Sequence, residues 1–526
     1  MRNVISLLSL FVLLLSNAAV AQTIEVEWGA EFDLDRDFRY HKIVGQDAEK
    51  FYLIRSEREK NVTKSKIWLE SVSKITSGIE STYQIALPEI HGKKSHFEEL
   101  FFVDSKLILF ATVHDQMKQV SNLYAMEIDE DGVPKGTPAL IAYMSLIIDP
   151  AKGYKFSLSA DKKNIIVHYH IPFATYTGEP LYFKMLNSDL EVVESKRFEL
   201  PYLQSKVDIV SYERGASGNY YFACRAEPIK RRRSSRAVAG RTVKINYNYS
   251  VLVYNALKDS LQEYKIAVDK YNPDGIMMTL NEDEDALIFG FGTKRSSIAI
   301  TGVYFQRLDP RTEKFTAKNF LDFSKDRAFL AEFTQERNGE IDSQWYSYTP
   351  GQIVPLDNGG FVYLTEQYYT EKNVIRDPKT KEETSVYYYH YNDILAISVD
   401  DENKLEWFRR IPKNQFSTND KGYYSSFVVA PVMNKLKIMF NDHPRNVNNR
   451  NLEKTKEIKN NLVTNPSGQA IVATVYSDGN VDKAPMFPGS EEKYSICPKL
   501  FLERNSQYFI YAQKGSNFKW GNFFFE

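Results

Sequence analysis

Short polar turns followed by tight apolar runs recur eight times along the chain. The first three pairs are Gln46-Asp47-Ala48-Glu49 before Phe51-Tyr52-Leu53-Ile54, Asp104-Ser105 before Leu107-Ile108-Leu109-Phe110, and Asp161-Lys162-Lys163 before Ile165-Ile166-Val167. Ala216-Ser217-Gly218 before Tyr220-Tyr221-Phe222 and Glu282-Asp283-Glu284 before Ala286-Leu287-Ile288-Phe289 follow. The series ends with Asp357-Asn358-Gly359 before Phe361-Val362-Tyr363-Leu364, Asn434 before Leu436 to Phe440, and Asn505-Ser506 before Tyr508 to Tyr511. Successive turns lie roughly 55 to 80 residues apart, a repeat somewhat longer than the common propeller periods.

Each unit parses as four strands. In the second they read Phe97 to Val103, Lys106 to Thr112, Asn122 to Ile128 and Pro138 to Tyr143, with Asp129-Glu130-Asp131-Gly132 joining the last two. Equivalent turns recur at Asn187-Ser188-Asp189, Asp309-Pro310-Arg311, Asp400-Asp401-Glu402 and Ser477-Asp478-Gly479. Asp, Asn and Gly suit such turns because they tolerate left-handed backbone and their side chains cap nearby amides. The periodic acids are therefore read as hairpin chemistry and not as calcium ligands.

The last unit supplies only three strands, Tyr494 to Leu502, Gln507 to Gln513 and Phe518 to Phe525, while Ile24 to Leu34 alternates like a strand with no unit of its own. Pairing that stretch beside the last strands fills the fourth place and closes a ring without exposed edges. The pattern predicts an all-β chain forming a single β-propeller of eight blades of four antiparallel strands, with seven blades as the alternative. One segment departs from the β pattern. Ser324 suits a helix cap before Lys325 to Phe333, predicting a short helical insertion near 325–337.

An outer-membrane barrel is the rival architecture, since the chain is aromatic-rich and ends Asn522-Phe523-Phe524-Phe525-Glu526. Barrel strands alternate lipid-facing and lumen-facing residues over about ten positions. Here the second strands are apolar on both faces, as strands packed between neighbouring sheets require. The N-terminus carries Arg2, an apolar run from Val4 to Leu15 and Ala19-Val20-Ala21, the pattern of a signal peptide over residues 1–21. This predicts a soluble exported chain, periplasmic or extracellular, with one domain over residues 22–526. No segment of the mature chain reaches the length of a transmembrane helix.

The chain has 67 Lys and Arg against 68 Asp and Glu, and loss of Arg2 with the signal leaves 66 against 68. That balance excludes nucleic acid as an expected partner, because such domains are strongly basic. With 34 Tyr and 33 Phe the composition favours strands. Cys224 and Cys497 stand about 270 residues apart in units that face each other across a ring, too far for the roughly 7 Å that a disulfide needs. Both are read as buried free thiols. The basic run Lys230-Arg231-Arg232-Arg233-Ser234-Ser235-Arg236 is read as a solvated loop of the fourth unit.

Candidate chemistry gathers at the ends of the second strands, which share one face of a propeller. His114, His168, His170, Glu366, Asp442 and His443 stand there; His and carboxylates carry acid–base chemistry and ligate metals near neutrality. His168 and His170 lie two apart and share one face of their strand. No HxxxH, CxxC or DxDxDG spacing accompanies them, so neither a metal nor a cofactor is assigned. Signatures of sialidase, WD40 and kelch propellers and a GxSxG elbow are absent from the sequence.

From about Tyr348 onward the chain resembles uncharacterised exported β-propeller-like proteins of Bacteroidota. The resemblance rests on Asp357-Asn358-Gly359-Gly360-Phe361, Tyr391-Asn392-Asp393-Ile394, Ile411-Pro412-Lys413, Tyr423-Tyr424-Ser425-Ser426, Phe440 to Asn446, and Phe518-Lys519-Trp520-Gly521. It implies fold and compartment, and it draws attention to the sixth and seventh units. There Asn392 and Asp393, read as opening a third strand, stand level with Asn441, Asp442 and His443, beside the long loop that begins at Arg445. These residues with Glu366, His114, His168 and His170 form the predicted ligand-binding set. The reading is a monomeric, non-catalytic propeller binding a protein or glycan of the cell envelope. A propeller hydrolase or lyase acting on glycans or peptides is one alternative, and a structural envelope component is another.

Overall fold

The computed structural model describes residues 24–33, 38–57, 66–145, 153–159, 161–170, 179–202, 207–227, 247–294, 300–325, 348–349, 351–376, 378–449, 455–460, 468–487, 489 and 493–525. No α-helix occurs among them. The expected signal peptide, the basic run at 230–236 and nearly all of the expected helix near 325–337 lie outside the described residues. No helix among the described residues is long and apolar enough to cross a membrane.

Apart from the two-stranded pair Glu89–Ile90 and Lys93–Lys94, the strands assemble into eight successive sheets, antiparallel except where Ile458–Asn460 runs parallel to Gln415–Thr418. The first holds Phe38–Gln46, Lys50–Glu57, Ile67–Ser73 and Ile79–Gln84; the second holds His96–Val103, Lys106–Asp115, Val120–Ile128 and Pro134–Ser145. The third runs through Lys155–Leu158, Ile165–His170, Glu179–Leu186 and Val192–Leu200. The fourth comprises Val207–Arg214, Tyr220–Ala226, Asn248–Asn255 and Ser260–Lys265; the fifth, Asn272–Leu280, Ala286–Thr293, Ile300–Asp309 and Lys314–Asp322. Gln352–Pro355, Phe361–Arg376, Glu383–Val399 and Leu405–Ile411 make the sixth, to which Gln415–Thr418 and Ile458–Asn460 add further pairings. The seventh is Phe427–Val432, Lys435–Asp442, Gln469–Val475 and Val481–Pro485. The eighth is Ser495–Arg504, Gln507–Lys514 and Asn517–Phe524, with Val26–Trp28 and Phe32–Asp33 paired along its last strand.

The runs that are apolar on both faces occupy the second strands because sheets cover them on both sides. Ala286–Thr293 is buried at every position. Eight apolar clusters separate the sheets, one between each consecutive pair. The last of them joins the eighth sheet to the first, where Tyr40, Phe51 and Leu53 pack with Tyr511, Phe518 and Trp520. Aromatics fill these layers efficiently: Phe51 stacks on Phe509 at 3.6 Å and Phe509 on Trp520 at 4.9 Å. Each such fully buried ring contributes about 1.5–3 kcal/mol.

The periodic acids are turn residues. Asp47 Oδ1 accepts from the Glu49 and Lys50 amides at 2.7 Å each, and Asp129 Oδ1 accepts from Asp131 and Val133 at 3.0 and 2.8 Å. Gly359, at φ +84°, takes the left-handed position of its turn. Both thiols are free and fully buried. Burial raises the pKa of each, that of Cys497 to about 12, so neither is a thiolate near neutrality.

Register places the candidate face. The first strand of each sheet starts beside the end of the second: Tyr40 lies opposite Arg55, Lys155 opposite His168, and Phe427 opposite Phe440. Residues at the starts of first strands and on the connections that lead into them therefore share an end of the molecule with the predicted ring of second-strand ends.

Candidate active site

The sixth sheet departs from the predicted pattern. Its second and third strands run for 16 and 17 residues, so Asn392 and Asp393 lie within the third strand instead of opening it. The outer half of this ribbon is aromatic, with Tyr369 stacked on His390 at 4.4 Å and Tyr388 on Phe416 at 5.6 Å.

Where the ribbon meets the seventh sheet, the structure gathers part of the predicted set into a buried polar network. Lys413, wholly buried, pairs with the Glu366 carboxylate and donates to the Tyr391 carbonyl at 3.0 Å and to Gln415 Oε1 at 3.1 Å. Asp393 accepts from Arg410 Nε at 2.7 Å and from the Lys413 amide at 3.3 Å. Asn441 donates to the Tyr424 and Ile496 carbonyls at 2.7 Å each and accepts from the Ile496 amide at 2.9 Å. Asp442 accepts from the His443 amide and from Asn446 Nδ2, with Lys483 Nζ 3.5 Å from its second oxygen. Burial raises the pKa of Asp442 and lowers that of Lys483, each opposed by the other's charge. Asn392 donates to Gln367 at 3.1 Å.

The remaining predicted residues are dispersed. His443 caps the short 3-10 turn Pro444–Asn446, its Nδ1 accepting from the amide of Arg445, which is exposed. His114 lies in the second sheet, against His96 at 5.1 Å and Ser121 at 3.1 Å. His168 is buried in the third, its ring 4.8 Å from that of Tyr212. His170 pairs through its backbone with Leu181 on the same sheet.

The network's own shape points to a second group that the sequence reading missed. Residues 412–426 connect the sixth sheet to the seventh, and polar bonds pin both ends of this connection. Gln415 Nε2 donates to the Asn441 carbonyl at 2.7 Å, its Oε1 accepts from the Ser426 amide at 2.9 Å, and Ser426 Oγ donates to Glu366 at 2.7 Å. Between these pins the backbone is contorted. Asn419, Lys421, Gly422 and Ser426 all have positive φ, a conformation that costs non-glycine residues energy and persists only where surroundings enforce it. Tyr391 supplies part of that enforcement: its ring fills the space where a Cβ at Gly422 would stand, and its hydroxyl donates to the Lys421 carbonyl at 3.3 Å.

The bend presents Asp420 and Lys421 to residues from two other sheets. Lys499, on the first strand of the eighth sheet, donates to the Lys421 carbonyl at 2.9 Å. Arg39 and His41 come from the first strand of the first sheet. The Asp420 carboxyl accepts from the Gly422 amide at 2.8 Å on one oxygen, and the Ser417 hydroxyl lies close enough to hydrogen-bond to it. Burial raises its pKa, against the pull of the Ser417 hydroxyl, the Gly422 amide and then Lys499. Burial, then Arg39 and Lys421, lower the pKa of His41 to about 4, so its imidazole is neutral across the physiological range. His41 Nε2 meets Ser56 Oγ. Desolvation also lowers the pKa of Lys499, although its side chain reaches water.

The group thus holds a carboxyl biased towards its protonated form, a neutral imidazole and three cationic side chains. A proton donor and a proton acceptor whose environments push their pKa values in opposite directions are what general acid–base chemistry requires. Sequence reasoning overlooked it because Arg39 and His41 stand at the start of a first strand, and Asp420 lies in a connection that resembles any polar turn. Among the described residues no group of three or more His, Cys, Asp and Glu side chains is placed to hold a metal ion.

No protein-family model and no curated protein matches the chain. Solved structures do. The chain is similar to a Penicillium chrysogenum α-L-arabinanase (9% identity, 65% of this chain and 93% of that one, TM-score 0.32). It is similar also to the GH93 α-L-arabinofuranosidase of Fusarium graminearum (8%, 70% and 98%, TM-score 0.31) and to a PL25 ulvan lyase (9%, 88% and 96%, TM-score 0.36). The expectation of a non-catalytic binding propeller is corrected on this point. The structures matched include glycan hydrolases and a polysaccharide lyase, and titratable groups of the first and eighth sheets lie within electrostatic reach of residues 420–421.

Proposed function

We propose that the chain is a propeller enzyme that cleaves an acidic glycan by elimination. The observation that supports this reading is that His41 of the first sheet lies within electrostatic reach of Lys421, and Lys499 of the eighth sheet within reach of Asp420, on the one bend between the sixth sheet and the seventh. Lys499 acts on the Asp420 carboxyl while Arg39 and Lys421 act on His41 and Lys499, an excess of positive charge that suits a substrate carrying carboxylates. A glycosidase uses a pair of carboxyl groups; elimination needs one base, one acid and cations to hold the sugar carboxylate.

In this reaction His41 removes the proton from the carbon next to the sugar carboxylate. The cations stabilise the charge that develops on the carboxylate oxygens. Asp420 gives its proton to the departing glycosidic oxygen as the carbon–oxygen bond breaks, leaving a carbon–carbon double bond. The same reading takes the eight sheets as eight blades of a closed ring, with Val26–Trp28 completing the last. Ultraviolet absorbance of an unsaturated product, followed over a panel of uronate-containing and neutral polysaccharides, tests the proposal. Activity on uronate polymers that falls steeply in Asp420→Asn and His41→Ala supports it. Cleavage without an unsaturated product, or activity indifferent to both substitutions, sinks it.

A further inference from the structure

The fifth sheet is hollowed apart from these residues, under the connection that arrives from the fourth. A cavity of about 620 Å³ opens there between residues 267–271 and the last strand of the sheet. Its floor holds Gln306, which is 2% exposed. Gln306 Nε2 donates to the Ala267 carbonyl at 2.8 Å, which fixes the orientation of the amide. Its Oε1 is then left buried with no partner. A buried acceptor without a donor costs roughly 1–3 kcal/mol, a cost that a hydroxyl-bearing ligand removes.

The walls match that requirement. Tyr271 and Phe320 stack at 4.3 Å and are both half-buried, offering an apolar surface of the size of a sugar ring. Tyr271 Oη donates to Asp322 at 2.5 Å, which holds the tyrosine ring in place. Lys270, Lys318 and Lys325 stand around the opening against Asp269 and Asp322, a net positive rim. Neither sulfate nor a doubly ionised phosphate monoester offers a proton to Gln306, whereas a sugar hydroxyl does.

We infer that this cavity binds an acidic oligosaccharide, with a hydroxyl donated to Gln306 Oε1, a ring face laid on Tyr271 and Phe320, and a carboxylate met by the lysines. The site lies on a different sheet from the residues assigned to elimination, and its occupancy does not depend on that reaction. It would hold a polymer to the protein away from the point of cleavage.

The test is hydrogen exchange on the full chain with trigalacturonate as the probe and maltotriose as the neutral control. The expected result is protection of 266–271 and 314–322 by trigalacturonate alone. Lys318→Glu should remove that protection and weaken binding there about tenfold, the scale of one charge-assisted hydrogen bond. Gln306→Leu should do the same, with exchange elsewhere in the fifth sheet unchanged as the check on folding. His41→Ala should leave the protection intact. No protection of these segments, equal protection by maltotriose, or protection that survives Lys318→Glu overturns the inference.

Discussion

Lys499 Nζ donates to the Lys421 carbonyl at 2.9 Å, tying the first strand of the eighth sheet to the bend between the sixth and seventh. The bond fixes the bend that carries Asp420 and also places a cation beside it. Lys499→Ala should therefore raise KM for a uronate polymer about tenfold or more, and lower kcat as Asp420 loses its anchor. Lys499→Arg should restore part of the KM effect, because charge is kept while the geometry changes. Steady-state kinetics on the three proteins would separate the two roles.

The acid–base assignment also dictates a pH profile. His41 must be neutral to act as a base, so activity falls as pH drops through about 4. Asp420 must hold its proton, so activity falls again as pH rises through its elevated pKa. The profile of kcat/KM should be a bell, and Asp420→Asn should lower it throughout and abolish its alkaline limb. A profile that keeps that limb in the variant would show that another group supplies the proton.

Much of the architecture was legible in the sequence, because burial on both faces leaves a mark that composition cannot hide. The run Ala286-Leu287-Ile288-Phe289 reads as a strand between two sheets, and it lies between apolar clusters on both sides. Val26–Trp28 could be placed beside the final strand by its alternation and by the missing fourth strand. The candidate site was less legible. Asn441 and Glu366 drew attention as polar residues at apolar strand ends, and they do converge on one network, yet they serve to fasten a connection. The groups with perturbed acidity come from segments far apart in sequence, and only the fold brings His41 beside Lys421. The length of the sixth-sheet ribbon was also missed, since Tyr368 to Tyr391 carries turn-like charges within its strands.

Folding stability should carry the signature of His41. Its folded pKa, about 4, lies below the ordinary value of 6.5, so the unfolded chain binds more protons between those limits. Stability contributed by this group is then complete above about pH 6.5 and is lost as pH falls towards 4. Roughly 2 kcal/mol is at stake, after allowing for the edge of the ring that meets water. Denaturant midpoints at pH 7 and pH 4.5 should differ less in His41→Gln than in the unaltered protein. An equal difference in both would place the acid sensitivity elsewhere.

The buried pair of Lys413 and Glu366 yields the last prediction. Lys413 is wholly enclosed, and its ammonium also serves the Tyr391 carbonyl and Gln415, so the charge is satisfied on every side. Removing one partner leaves the other charged in a medium that cannot solvate it, which costs about 3–5 kcal/mol. Lys413→Met alone should be destabilised on that scale, and Glu366→Gln alone by less, because an amide can still accept from the ammonium. The double variant should recover a substantial part of the loss, since no uncompensated charge then remains. Recovery of stability need not bring back function. Glu366 also accepts from Ser426, and Lys413 holds the carbonyl of the tyrosine that shapes the bend at Gly422. The double variant should thus fold near normally, yet cleave more slowly than the unaltered chain. Full activity in it would show that the pair serves stability alone and that the bend keeps its shape without it.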